Sequence, residues 1–300
     1  MEKDRIKTRS LNSDSVSAVF MAPALVLYIV LLIVPIIIAF GFSFTSWNGM
    51  AVSPMNFVGF QNYISMFSDA RLGGAIKNTL FITIVVVISV NVLGLGFALL
   101  LNNAGRMTNV ARSVFFAPYV LSTVAVSFIW LSMLSYTGVF NSLLESVNLG
   151  ALVMDNFGSK EAALRSICIV EIWRTLGFHM VIYLAALQTV PADLYEACTV
   201  DGGNRWHKFW YVTLPLIMPG ITISVLMSII NGLRMYDIVK VLTDGGPGYA
   251  SETITYNIVI QAFGTNRLGY SSAIAVLLFV IIAAVAVFQI RATRSKEVEY

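Results

Sequence analysis

Along the chain, apolar runs near Val16–Phe40, Thr79–Leu101, Val114–Leu134, Ile167–Leu187, Ile217–Leu233 and Ser272–Ile290 alternate with polar stretches. Each run is close to the roughly 20 residues that carry a helix across a bilayer. The pattern predicts an all-α polytopic membrane protein with six transmembrane helices. The first run, taken over residues 16–44, is longer than the hydrophobic core of a cleaved signal peptide. No convincing Ala-x-Ala-like site ends it, so it reads as a retained span. The outer loops, about Thr45–Asn78, Tyr136–Arg165 and Arg234–Tyr270, hold no soluble domain, and no inverted repeat relates the first three runs to the last three. One helical bundle is the economical reading.

Composition supports the same class. Of the 300 residues 57% are apolar and 12% charged, against roughly 25% charged in soluble domains. Mean hydropathy is +0.79. A net charge of +3, spread over ends and loops, gives no footprint for nucleic acid. Its distribution sets orientation instead. Lys3, Arg5, Lys7, Arg9, Arg106, Arg112, Arg205, Lys208, Arg291, Arg294 and Lys296 fall on one side of the predicted spans. Only Arg71, Lys77, Lys160, Arg165, Lys240 and Arg267 fall on the other. Cytoplasmic loops carry the excess of lysine and arginine, so both chain ends are expected in the cytoplasm. This divides the chain into a cytoplasmic tail (1–15), a first span (16–44), a core with five spans (75–290) and a second cytoplasmic tail (291–300). The two cysteines, Cys168 and Cys198, have neither the number nor the placement of a disulfide framework or metal site.

Between the fourth and fifth runs lies a polar island, residues 191–215, that a simple membrane connection does not need. Pro191 suits a helix start, Asp193 favours the positive helix end, and Gly202-Gly203 can close the helix in a left-handed conformation. Asn204 can cap a second short helix bearing Trp206, Phe209 and Trp210, rings that favour the membrane–water boundary. A helix-turn-helix on the cytoplasmic membrane face is shaped to be gripped by a soluble partner. The chain has no Gly-x-x-x-x-Gly-Lys-Ser/Thr phosphate loop, no His-Glu-x-x-His helix, and only two histidines, His179 and His207. It is therefore not expected to be an enzyme, and any ATP hydrolysis must sit on another polypeptide.

The island's Glu196-Ala197-Cys198, followed by Asp201-Gly202 and by Leu214-Pro215, resembles the EAA loop of ATP-binding-cassette importer permeases, with Cys198 in place of the usual second alanine. Three further stretches resemble the maltose-type carbohydrate permeases. They are Asn56-Phe57-Val58-Gly59-Phe60-Gln61-Asn62-Tyr63, the segment from Arg112 to Pro118-Tyr119, and the segment from Tyr236-Asp237 to Gly248, which holds Leu242-Thr243-Asp244-Gly245-Gly246-Pro247. The resemblance covers nearly the whole chain. It implies a type I importer permease fold in a bacterial or archaeal plasma membrane, paired with a second homologous permease. It also implies two cytoplasmic ATPase subunits, which hold the ATP and Mg2+, and an extracytoplasmic solute-binding protein that delivers a carbohydrate. No cofactor is expected in this chain. By the same resemblance Tyr195, Glu196, Ala197, Cys198, Asp201 and Gly202 form the ATPase-coupling loop.

Sugar hydroxyls that lose water inside a membrane must be offered replacement hydrogen bonds, so a pathway needs polar groups at mid-membrane depth. Three faces supply them. Glu171, Arg174, Thr175 and Phe178 recur at i, i+3, i+4 and i+7 on the fourth run, and Ser224, Ser228, Asn231 and Met235 recur on the fifth. Tyr119, Ser122, Thr123, Ser127 and Trp130 make a comparable face on the third. Aligned through the resemblance, Glu171, Arg174, Thr175, Phe178, Ser228, Gly232 and Met235 fall on positions similar to the sugar-lining ones of the maltose-type permeases. Plainer readings stand beside this one. Serine and threonine often bond their own backbone in membrane helices, and Glu171 can neutralise Arg174 one turn away or meet Arg234. A carrier in which Glu171, Arg174 and His179 relay protons, or an intramembrane enzyme using Glu171 or His179, are the other classes left open.

Overall fold

The structure, a computed structural model, describes residues 13–102 and 105–294. The basic residues Lys3, Arg5, Lys7, Arg9 and Lys296, with most of both predicted tails, lie outside the described residues. The described chain is helical, and its only extended pairing is an isolated bridge between Thr45 and Phe57. α1 (Ser13–Tyr28) and α2 (Val34–Phe42) are joined by a π-helical turn, Ile29–Ile33. Together they form the first span, whose apolar window is 0% buried within this chain. A helix so apolar and so uncovered must face lipid or another subunit.

The Asn56–Tyr63 stretch clasps the end of α2. Asn62 Nδ2 donates to the carbonyls of Ser43 and Thr45, both at 2.8 Å, and Tyr63 Oη donates to Ser43 Oγ at 2.8 Å. These bonds occupy carbonyls that a helix end leaves unpaired. α3 (Gln61–Ser68) follows, then α4 (Ala70–Leu100). α4 starts nine residues before the predicted Thr79, because the Asp69 carboxylate accepts from the backbone N–H groups of Arg71 and Leu72 and caps a turn the apolar count leaves out.

The third predicted run, Val114–Leu134, is corrected. It is two helices, α5 (Arg106–Val120) and α6 (Thr123–Leu134), separated by extended backbone at Leu121 (φ −71°, ψ 148°) and Ser122 (φ −55°, ψ 130°). Pro118 has already removed one rung of the α5 ladder two residues before that helix ends. α6 and the following α7 (Val139–Ser146) together make one candidate span, Thr123–Ser146, and α8 (Lys160–Gln188), capped by Ser159, is the most buried of the long apolar helices. The island then forms α9 (Ala192–Val200), α10 (Arg205–His207), a π-helical turn over Lys208–Thr213, and α11 (Leu214–Leu216).

α12 (Met218–Leu233) meets the preceding helical segment at an angle of 68°. Pro215 and Pro219 flank the bend at Ile217, and neither can donate a backbone hydrogen bond across it. α13 (Asp237–Leu242) and α14 (Ile254–Val259) fold within the last predicted outer loop, and α15 (Leu268–Arg294) ends the described chain. Among the described residues five helices are long and apolar enough to cross a membrane, six when the bent pair is one span.

The centre of the molecule is a three-helix unit of α4, α8 and α12. Ile82, Val86 and Val90 of α4 and Ile167 and Val170 of α8 share one core cluster, while Met180, Tyr183 and Leu187 of α8 pack with Ala98 and Ile217 in another. Glycines let these helices approach closely. A Cβ at Gly94 would stand 3.2 Å from His179 Cβ, and one at Gly232 would stand 2.8 Å from Thr83 Oγ1. Gly177 passes against the Phe115 carbonyl with no room for a side chain, which seats α5 on α8.

Candidate functional site: a polar cavity and a helical hairpin

Where α5 breaks, α8 runs past and α12 ends, a cavity of about 510 Å³ opens. Tyr119, Ser122 and Thr123 line it from the break, Glu171 and Arg174 from α8, and Asn231, Arg234 and Met235 from the end of α12. Tyr236 and Asp237 close one side. The break at Leu121–Ser122 lies at the cavity, and Tyr119 before it and Thr123 after it both face this space.

At the cavity wall Arg174 Nε and Nη2 donate to the two carboxylate oxygens of Glu171, each at 3.0 Å. The pair is one helical turn apart, and side-chain exposure is 14% for Arg174 and 5% for Glu171. Two parallel bonds fix both planes, so each side chain is held in position before any ligand arrives. The guanidinium lies 5.9 Å from the Tyr119 ring centroid, and Tyr119 stacks on Phe178 at 4.4 Å with planes 15° apart. Glu171 therefore meets Arg174, the first of the two partners its sequence position allows, and Arg234 keeps no ion-pair partner among the described residues.

Other polar positions of the predicted layer are placed elsewhere. Thr175 Oγ1 donates to the Glu171 carbonyl at 2.7 Å, and Ser127 Oγ to the Thr123 carbonyl at 2.8 Å, so both bond their own helix. Ser228 Oγ donates to the Val225 carbonyl at 2.9 Å and is buried, while Gly232 faces Thr83 on α4. Trp130 packs edge-on against Trp173. Phe178 reaches the cavity only through its stack with Tyr119. Arg234, Tyr236 and Asp237 also line the cavity; the sequence offered Arg234 only as an alternative partner for Glu171 and Tyr236-Asp237 only as the start of the Gly-Gly-Pro stretch, and the signal for a pathway role was their place directly beside Met235 at the end of a polar face.

The island is a hairpin of α9 and the α10–α11 segment. Gly202 takes φ +79°, the left-handed conformation the Gly-Gly pair predicts, and nothing lies within 4 Å of where its Cβ would be. The tight position is Gly203, whose Cβ would meet the Cys198 carbonyl at 2.6 Å. Asn204 Oδ1 accepts from the N–H groups of Trp206 and His207, each at 3.0 Å, starting the second arm. Tyr195 Oη and Thr213 Oγ1, 3.1 Å apart, tie the two arms together. Glu196, Ala197 and Asp201 are exposed, with no partner for the Glu196 carboxylate among the described residues. Trp206, Trp210 and Tyr211 are exposed as well. The hairpin thus offers a free carboxylate and a row of rings outward, on a backbone that is internally satisfied.

The other stretches singled out from the sequence also have defined roles in the fold. Arg112 Nε donates to the Leu101 carbonyl at 3.1 Å and covers the end of α4. Gly245, at φ +78°, lies against Tyr256 and Glu252, where a Cβ would come within 2.8 Å of the ring. Glu252 is nearly fully buried and is gripped by Arg71 through two bonds, while Arg71 stacks on Tyr249 at 3.8 Å.

Comparison with known proteins agrees with this arrangement. The model of a family described as the binding-protein-dependent transport system inner membrane component matches residues 61–294. The probable starch degradation products transport system permease of Thermoanaerobacterium thermosulfurigenes is 32% identical over 280 residues, covering 93% of this chain and 94% of that one. The trehalose/maltose transport system permease of Thermococcus litoralis is 31% identical over 273 residues, covering 91% of each chain. The same fold appears in a bacterial alginate ABC transporter crystallised with an alginate pentasaccharide-bound periplasmic protein. That match has a TM-score of 0.79 at 21% identity and covers 94% of this chain and 95% of that one. The bent helices, the hairpin and a match over most of the length agree, and the chain belongs to the family of binding-protein-dependent transport system inner membrane components, as a multi-pass membrane permease.

Proposed function

We propose that this chain forms half of the translocation pathway of an ATP-driven importer for a carbohydrate, received from an extracytoplasmic solute-binding protein. The observation that carries this reading is the make-up of the cavity. Glu171 and Arg174 are joined by two hydrogen bonds, and Tyr119, Asn231 and Asp237 stand around them. Paired opposite charges present fixed donors and acceptors with no net charge, which suits a ligand made of hydroxyl groups. Tyr119, already stacked on Phe178, adds an aromatic face. Relatives named for starch degradation products and for trehalose or maltose point to the same ligand class.

A second homologous permease completes the pathway, and two ATPase subunits that bind ATP and Mg2+ seat on the α9 hairpin with the exposed Glu196 as a contact. The chain itself hydrolyses nothing. Both chain ends and the hairpin lie in the cytoplasm, and the Gly245–Gly248 turn lies outside. The proton-relay alternative gains nothing from the geometry: among the described residues no hydrogen-bonded chain joins Glu171 to His179, since Glu171 bonds Arg174 and His179 bonds Ser224.

Reconstitution of this chain with its neighbouring permease, ATPase and binding protein in proteoliposomes tests the reading. Radiolabelled maltotriose and trehalose uptake, and binding-protein-stimulated phosphate release, are the measurements. ATP-dependent saccharide accumulation is expected. Uptake by this chain alone, driven by a proton or sodium gradient, would overturn it.

A further inference from the structure

Below the cavity, towards the hairpin, a second polar cluster lies inside the bundle. Asn91 of α4 is its centre. The Asn91 amide nitrogen donates to the Val87 carbonyl at 2.7 Å and to Ser228 Oγ at 3.0 Å. Its carbonyl oxygen accepts from Tyr183 Oη at 2.6 Å and from Ser224 Oγ at 2.7 Å. Both donors and both acceptor sites of one amide are used. The amide cannot be turned over, because its oxygen would then face the Val87 carbonyl, which has no hydrogen to give.

The directions propagate. The single Ser224 hydroxyl hydrogen goes to Asn91, so the contact between His179 Nδ1 and Ser224 Oγ, at 2.8 Å, requires Nδ1 to carry the hydrogen and donate. Ser228 gives its hydrogen to the Val225 carbonyl and so can accept from Asn91. Tyr183, His179, Ser224 and Ser228 are all buried. One side chain of α4 is thereby bound to two helices at once, to α8 through Tyr183 and to α12 through Ser224 and Ser228. The His179–Ser224 bond closes the triangle.

Packing marks the same three seams independently. Gly94 brings α4 onto α8 at His179, Gly232 brings α12 onto α4 at Thr83, and a Cβ at Gly220 would stand 2.5 Å from Ala186 Cβ across the α12–α8 seam. The position of the cluster gives it meaning. α8 leads into the hairpin and α12 leads out of it, whereas α4 is not continuous with it in the chain. Both α8 and α12 also carry cavity residues farther along, Glu171 and Arg174 on one and Asn231 and Met235 on the other.

We propose that Asn91 is the hub that makes α4, α8 and α12 one rigid body, so that a displacement imposed on the hairpin reaches the cavity undivided. Asn91, Tyr183 and Ser224 are positioning residues for coupling: they touch neither ligand nor nucleotide. Without the hub, α8 and α12 would slide on each other, and the hairpin would move while the cavity lagged. The inference rests on the permease reading above and goes beyond it in assigning the element that transmits the motion.

The test uses the assembled transporter in lipid vesicles, with spin labels at Val181 of α8 and Met227 of α12 in a Cys168→Ala, Cys198→Ala background. Both labelled positions are exposed in this chain. In the otherwise wild-type protein the distance between the labels, read by electron paramagnetic resonance, should stay within about 2 Å between nucleotide-free and ATP-vanadate states, the range of small helix shifts. In Asn91→Leu the distribution should broaden, and stimulation of ATP hydrolysis by the system's own binding protein should fall about fivefold or more while basal hydrolysis persists. A merely structural role would lower both rates together. A label distance that changes by about 5 Å, one helical pitch, in the wild type would overturn the proposal. So would an Asn91→Leu protein with wild-type distances and stimulation, or one in which basal and stimulated hydrolysis fall in step. Should Asn91→Leu not assemble, Tyr183→Phe combined with Ser224→Ala removes the two donors to the Asn91 carbonyl and decides by the same readouts. Absence of stimulation in the wild type would count against the permease reading. The nucleotide-free comparison of wild type with Asn91→Leu would still judge the hub.

Discussion

Gly232 faces Thr83 so closely that a Cβ added to it would stand 2.8 Å from the Thr83 hydroxyl oxygen and 2.9 Å from its methyl carbon. The α12–α4 seam therefore has no room for a side chain, and Thr83 Oγ1 itself has no hydrogen-bond partner among the described residues. Gly232→Val should cost about 1–3 kcal/mol by overpacking, read as earlier loss of the monodisperse complex in a detergent thermal-shift series. Thr83→Ala, which clears both atoms, should restore most of it. An equally stable Gly232→Val protein would show that the seam can open freely.

Removing one member of the cavity ion pair should be more damaging than removing both. Glu171→Gln leaves Arg174 charged with a side-chain exposure of only 14%, and breaking a buried pair in this way costs about 3–5 kcal/mol. Replacing both by methionine should return the complex towards wild-type stability while saccharide uptake stays lost. Stability and uptake measured on the same preparations separate the two effects.

Asn231 and Ser228 part company as tests of the pathway. Asn231 lines the cavity, whereas Ser228 is buried and bonded to Asn91. Asn231→Leu should lower uptake several-fold with assembly intact, because an apolar branch fills space that ligand hydroxyls need. Ser228→Leu should destabilise the bundle as well, since it forces bulk into a packed seam. Equal co-purification of the ATPase with both variants would remove this distinction.

In the hairpin, Gly202 and Glu196 predict different failures. At φ +79° a non-glycine residue costs roughly 1–2 kcal/mol from backbone sterics, and Gly202→Asp adds a charge beside Asp201. Glu196→Lys leaves the hairpin folded and reverses the charge offered to the partner. The first variant should lose protection in hydrogen exchange over 192–207. The second should keep it and still fail to retain the ATPase through purification.

The turn at Asp244 provides a pH signature. Lys240 and Tyr256 donate hydrogen bonds to Asp244, and these hold its carboxyl below the ordinary 3.8. A lowered folded-state value stabilises the turn above the unfolded-state value and loses that contribution as pH falls through the folded one. Protection over 244–256, taken as the ratio of intrinsic to observed hydrogen-exchange rate, should therefore fall as pH drops below the ordinary 3.8 in the wild type. Asp244→Asn, which cannot titrate, should show no such step.

How much of this was legible in the sequence depended on what each residue's neighbours had to supply. Apolar length located the long helices, because a bilayer imposes it locally. The hairpin was legible too, since Gly202 and Asn204 act through their own backbone. The break between Val120 and Thr123 was hidden: Pro118 marks a weak point, but a weak ladder becomes a break only through tertiary packing. Start positions were misread where a polar cap such as Asp69 extends a helix beyond its apolar stretch. For the site, the i, i+3 spacing brought Glu171 and Arg174 together, and Tyr119, Asn231 and Met235 meet them at one cavity. Thr175, Ser228 and Gly232 share the same periodic faces yet serve packing. Polarity inside a membrane has two uses, and spacing along one helix does not tell which neighbour lies opposite. Asn91, set among valines, is where such a lone polar residue had the most to say.

The bend at Ile217 leaves α12 only 16 residues, about 24 Å of helix, against a hydrocarbon layer of roughly 30 Å. The mismatch cannot be absorbed by tilt, which only shortens the vertical reach. The rest of the layer falls to the segments continuous with α12, the stretch from Arg234 into α13 at one end and the oblique α10–α11 arm, with exposed Trp206 and Trp210, at the other. The hairpin is then tied to the bilayer surface as well as to the helices, so lipid thickness becomes a mechanical parameter of the permease, setting the height at which the hairpin stands.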